Sequence, residues 1–121
     1  MQLGSTTGGD GAGTLSFASG SQLTVSGAVT LGNAGTSTRT GTLAMTAGGT
    51  LIAGSLVDNY NGTGTANVFR PGAGKVQLTG TSTLPTTAAF NTFNNLTING
   101  GATTMGVALT VTNLTLASGT L

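Results

Sequence analysis

Asn94 to Leu121 reads NNLTINGGATTMGVALTVTNLTLASGTL, and the spacing within it decides the fold. Asn95-Leu96-Thr97-Ile98 returns further along the same stretch as Asn113-Leu114-Thr115-Leu116. Between them stands another apolar–Thr–apolar triplet, Leu109-Thr110-Val111. Side chains along a strand alternate between two faces, so such triplets are strands with one buried face. Short alternating triplets, Gly or Asn at the corners and a repeat of roughly 20 residues specify strands stacked as successive coils.

The same pattern extends towards the N-terminus. Gly13-Thr14-Leu15-Ser16-Phe17 alternates, and so do Ser21–Val25 and Ala28–Leu31. The separators Ala18-Ser19-Gly20 and Ser26-Gly27 suit the bends of a coil better than the turns of a meander. At one constant offset Gly41-Thr42-Leu43-Ala44-Met45 matches Gly13–Phe17, Gly20 meets Gly48, Leu23 meets Leu51 and Val29 meets Val57. Gly74-Lys75-Val76-Gln77-Leu78 reads as a third copy after a longer interval, with Leu84 placed as Leu23 and Leu51 are. Unequal intervals require insertions, and Asn33–Thr40 and Asp58–Ala66, rich in Gly, Asn and Thr, are where loops absorb them. Pro85 cannot donate a ladder hydrogen bond and belongs at a corner or edge. Thr86–Thr92 after it is read as one helical turn or a bulge, with Phe90 and Phe93 packing inward.

Composition fits this architecture. The chain has 121 residues, 22 Gly, 2 Pro, no Cys, no His and no Trp, and 4% of its residues are charged. That charged fraction is far below the ordinary ~25%, while 37% hydrophobic residues suffice for a core. Thr, roughly 26 residues, is β-branched and favours strands while leaving an uncharged hydroxyl for solvent. The reading is one all-β domain, a parallel β-helix (β-solenoid) of about five coils over residues 13–121. It has short Gly/Asn corners and little or no helix. Residues 1–12 precede it as a flexible arm, unless Gln2-Leu3 pairs with a neighbouring strand. A β-sandwich shares the cue of several short alternating strands, but the repeated frame and the very short bends favour the solenoid.

Stacking is what makes such a chain foldable. A lone triplet cannot offset the roughly 1–2 kcal/mol per residue lost in ordering its backbone. When coils rest on one another at ~4.8 Å, backbone groups pair above and below. Like side chains then bury inside, each Leu, Val, Ile or Phe contributing about 1.5–3 kcal/mol.

Phe93–Gly101 and Leu109–Leu121, the stretches FNNLTINGG and LTVTNLTLASGTL, resemble repeats of large bacterial secreted adhesins. These are the autotransporter-passenger and filamentous-haemagglutinin-like β-solenoids and the long surface repeat proteins of Bacteroidota. The resemblance covers most of residues 13–121. It implies a right-handed parallel β-helix, an extracellular or cell-surface location and an adhesive or scaffolding role. Such proteins run to many more coils than this chain holds, and the resemblance carries over no catalytic residue.

The residues themselves narrow the function classes. Asp10 and Asp58 are the acidic residues, with no Glu and no His beside them. Neither a paired-carboxylate site nor a His-activated serine can be assembled from that set, so no enzyme, no catalytic residue, no cofactor and no metal site is expected. Gly8-Gly9-Asp10-Gly11 is half of a calcium-binding repeat with its Asp misplaced, and reads as a turn. Arg39, Arg70 and Lys75 make no patch, which excludes phosphate-neutralising nucleic-acid binding. No apolar run reaches the ~18–20 residues of a membrane-spanning helix.

Thr63-Gly64-Thr65, Thr81-Ser82-Thr83 and Thr110-Val111-Thr112 raise an alternative, an ice- or surface-binding Thr-rich β-solenoid, although their spacing is uneven. Glycan adhesion would have Tyr60 as the one tyrosine for stacking. Asn61-Gly62-Thr63, Asn95-Leu96-Thr97 and Asn113-Leu114-Thr115 fit the glycosylation sequon, the latter two reading better as strand starts. The leading expectation is a structural subunit or segment of an extracellular fibre or surface adhesin, its partners being copies of itself. The pattern is still running at Gly119-Thr120-Leu121, and Gly-Thr-Leu also opens the first two repeats. Contact between different ends is heterologous and generates a filament when it does not close. The expected interface sets Leu114, Leu116 and Leu121 of one subunit against Leu15 and Phe17 of the next.

Overall fold

A computed structural model of the chain describes residues 1–4, 11–32, 40–60, 66–84 and 88–121. Ten strands lie among them: β1 (Gln2–Leu3), β2 (Gly13–Ser16), β3 (Gln22–Leu31), β4 (Gly41–Ala44), β5 (Thr50–Asp58), β6 (Val68–Arg70), β7 (Lys75–Leu78), β8 (Ser82–Leu84), β9 (Thr92–Met105) and β10 (Thr110–Thr120). A single 3-10 turn, Ala88–Phe90, is the only helical element among the described residues. Of the two expectations, a helical turn or a bulge, the structure takes the turn, and Phe90 and Phe93 are buried as expected.

Every strand pair is parallel. One seven-stranded sheet runs β1-β3-β5-β7-β9-β10 with β8 also beside β9, and a smaller sheet runs β2-β4-β6. The chain thus passes between two walls, and each strand pairs with one from a neighbouring pass. All-β structure with two all-parallel sheets is consistent with a β-solenoid-like arrangement.

The ladders test the expected registers one by one. Gly13–Ser16 lies on Gly41–Ala44 residue for residue, and Leu23 lies on Leu51, both at the offset read from the sequence. Asn95–Ile98 lies on Asn113–Leu116, again as read. Val29, however, stands over Leu56 and not Val57, because a bulge between Val25 and Ala28 consumes one extra residue of β3. The Gly74 copy is corrected more deeply. Lys75–Leu78 stacks on Thr50–Ala53 of the larger sheet, so Val76 lies on Leu51 and not in the Leu43 position. The true third strand of the smaller wall is β6, with Phe69 on Leu43. Leu84 accordingly pairs with Met105.

Gln2 and Leu3 take the pairing allowed as the exception to a free arm: they lie parallel on Thr30 and Leu31. The terminal ammonium of Met1 adds a 2.7 Å hydrogen bond to the Ala28 carbonyl. Residues 5–10, with Asp10, lie outside the described residues, and so do 85–87, with Pro85. The same holds for 33–39 and 61–65, most of the two expected insertions.

Between the walls the columns build the core. The column Leu15, Leu43 and Phe69 of one sheet and the column Leu51, Val76 and Leu96 of the other share one core, and the last five of these are at most 8% exposed. Phe69 meets Phe90 and Phe93 at ring-centroid distances of 5.1 and 5.3 Å in tilted geometry, which favours the quadrupoles of all three rings.

Candidate functional site

Among the described residues the chemistry-bearing side chains do not converge. Asp58 accepts hydrogen bonds from the Tyr60 amide at 3.1 Å and from Asn67 Nδ2 at 2.6 Å, a local structural arrangement. Arg70 and Lys75 belong to different sheets. No group of three His, Cys, Asp or Glu side chains that could hold a metal occurs among the described residues. No helix there is long and apolar enough to cross a membrane. The outward column of the larger sheet runs Thr24, Ile52, Gln77, Thr97 and Thr115, a mixed row and not a uniform Thr array. Thr63, Thr65 and Asn61 lie outside the described residues.

What the larger sheet does present is an uninterrupted ladder that reaches an edge. Four columns run through β3, β5, β7, β9 and β10 without a register break: Gln22-Thr50-Lys75-Asn95-Asn113, Leu23-Leu51-Val76-Leu96-Leu114, the mixed row above, and Val25-Ala53-Leu78-Ile98-Leu116. Leu96 and Ile98 are fully buried, yet Leu114 and Leu116, one strand on, are 50% and 55% exposed. The cause lies in the opposite wall. Among the described residues the smaller sheet ends at β6, and the 3-10 turn lies in contact with β6. Among the described residues no strand of the smaller sheet faces β10. Leu121 and Met105 are also exposed at this end, while Leu109 and Val111 pack partly against the core. Asn113 Nδ2 donates to Asn95 Oδ1 at 3.0 Å and holds the last strand in register.

The opposite end is built differently. Leu15 is half-buried against the core and Phe17 is buried, 7% exposed. Both belong to the smaller wall, whose Leu15-Leu43-Phe69 column does not contain Leu114 or Leu116. An open cleft of about 200 Å³ lies between the walls here, lined by Leu15, Phe17, Gln22 and Leu23 among others. β1 covers only the far half of β3, at Thr30 and Leu31. Gln22–Val25 has no strand on its outer side among the described residues.

Two features escaped the sequence reading. Asn67, 6% exposed, is a polar staple: its Oδ1 accepts from the Gly41 amide at 2.7 Å, and its Nδ2 donates to the Leu31 carbonyl at 3.0 Å as well as to Asp58. It thereby joins β3, β4 and β5. The second is a column of corner glycines. A Cβ on Gly54 would stand 2.6 Å from the Ser26 carbonyl oxygen, one on Gly80 2.9 Å from that of Gly54, and one on Gly101 2.6 Å from the Gly80 carbonyl carbon. One on Gly119 would strike the Gly101 carbonyl. Each glycine lets the backbone approach the preceding pass more closely than a side chain permits. Gly119-Thr120 therefore stacks on the corner of β9, with Thr120 on Ala102, and does not open a strand like Gly13-Thr14. Glycine spacings that track the strand offsets were the signal available.

Compared with known proteins, the chain matches no family model, no curated protein and no solved structure.

Proposed function

We propose that this chain is a structural β-solenoid element of an extracellular fibre or surface adhesin, and that it extends by stacking end to end. The observation that carries the reading is β10: its Leu114 and Leu116 continue buried columns in register and are half exposed at the edge of an all-parallel sheet. An unpaired edge with an apolar inner row is a template for another strand. Charged side chains, the usual protection of such an edge, are absent from β10. The low charge of the whole chain favours association over dispersal. Surface or glycan adhesion is then a property of the assembled fibre's outer faces.

Negative-stain microscopy of the purified chain, with light scattering across protein and salt concentrations, tests this. Fibres or a concentration-dependent ladder of oligomers is the expected result. Monodisperse single chains at every concentration would sink the reading.

A further inference from the structure

The two ends of the larger sheet are complementary in register, and we infer that a second copy of this chain seats its β10 on the open half of β3. The inference rests on the end-to-end reading above and specifies its joint. β10 adds parallel to Gln22–Val25, Asn113 falling on Gln22, Leu114 on Leu23 and Leu116 on Val25. These are the four columns that already run unbroken through five strands, so the joint repeats a pairing the chain makes internally. This moves the receiving residues from Leu15 and Phe17 on the smaller wall to Leu23 and Val25 on the larger one. Leu23 and Val25 are half-buried against the core, and Leu23 helps line the 200 Å³ cleft that is open on this side. Neither Gln22–Val25 nor Asn113–Leu116 carries a charge that would oppose contact between copies.

A second observation points to a copy and not to an unrelated partner. Gly27 occupies the corner above which Gly54 packs, yet an added Cβ there meets nothing within 4 Å, and its φ lies outside the positive range. Within the chain neither a neighbouring atom nor a positive φ requires a glycine at this position. Each later glycine of the column points its missing Cβ at the backbone of the preceding pass. In the joint inferred here, the backbone of Gly119 of a preceding copy fills the open space beside Gly27. It is the open end of a column whose other end is Gly119.

The chain has no cysteine, which permits a clean test by disulfide trapping. Adjacent strands lie ~4.8 Å apart, within the ~4.4–6.8 Å Cα separation that a disulfide spans. Asn113→Cys and Gln22→Cys chains, mixed under mild oxidation, should form a heterodimer, while each alone should not. Gly27→Ala should keep the wild-type Tm and raise the concentration needed for assembly at least tenfold.

Self-linking of Asn113→Cys alone would mean a two-fold joint of β10 on β10, and would overturn the inference. So would trapping of Asn113→Cys by Leu15→Cys in place of Gln22→Cys, or assembly of Gly27→Ala at the wild-type concentration. In those cases fibres still form, so the structural role survives while the register falls. Absence of any assembly, as when a further length of the same chain covers β10, removes both.

Discussion

β3 and β10 stand in the same columns of the same sheet, four strands apart, and meet solvent in different ways. At the β3 end two walls still face each other: Phe17 is buried and Leu15, Leu23 and Val25 are half-buried. At the β10 end a single wall continues past its counterpart, and Leu114 and Leu116 are exposed. Sequence alternation is equally good in both. The difference teaches that burial in a stacked sheet depends on what faces a strand, which its own residues do not encode.

The largest expected effect sets the interior of a column against its end. Leu96→Ala, at a fully buried position, should cost about 2–5 kcal/mol, whereas Leu114→Ala in dilute monomer should cost less than about 1 kcal/mol because half its surface is already in water. Urea denaturation of the two variants measures the ratio, and equal losses would break the comparison. Asn67→Ala should cost about 2–4 kcal/mol, since the Gly41 amide, the Leu31 carbonyl and the Asp58 carboxylate each lose a partner. Because Asn67 serves the double-walled part, protection against amide exchange should fall in β3 and β4 and leave β10 as it was.

Gly54→Ala places a methyl against backbone and should lose about 1–3 kcal/mol by overpacking, while Gly27→Ala should stay within about 0.5 kcal/mol of wild type. A thermal melt of each decides, and the pair sharpens the contrast between a packed corner and an open one. The smallest expected effect has the opposite sign. Ser82 and Thr103 are opposite each other, both buried, and neither hydroxyl has a hydrogen-bond partner. Ser82→Ala with Thr103→Val should therefore stabilise the chain by about 1 kcal/mol, a rise of roughly 4 °C in Tm. A fall in Tm would show that an ordered water serves the pair.

How much of this was legible from residues alone follows from where the information sits. The Gly13–Gly41 and Asn95–Asn113 offsets were readable because those strands pair without a bulge, so composition repeats with register. Gly74 was assigned to the wrong wall because Gly-x-apolar-x-apolar describes a strand of either sheet. Alternation fixes which face is buried and is silent about which partner it faces. The bulge in β3 falls on Ser26-Gly27 and shifted Val29 by one residue; the pair signals a break in the strand but not how many residues it consumes. Asn67 was invisible because its partners are 9, 26 and 36 residues distant. At the candidate joint, the leucines of β10 were readable and their exposure was not, since among the described residues no strand of the smaller sheet lies past β6 to cover them.

The shortening of the passes has a kinetic consequence. Along the larger sheet the steps from Gln22 to Thr50, Thr50 to Lys75, Lys75 to Asn95 and Asn95 to Asn113 each span less chain than the one before. Closure entropy grows only as the logarithm of loop length, so the shortest pass is favoured over the longest by about 0.4 kcal/mol. Every rung therefore forms at nearly the same entropic cost, and sequence separation does not grow as passes are added. Folding rate follows contact separation, so an array of this design can lengthen without its individual rungs becoming slower to form.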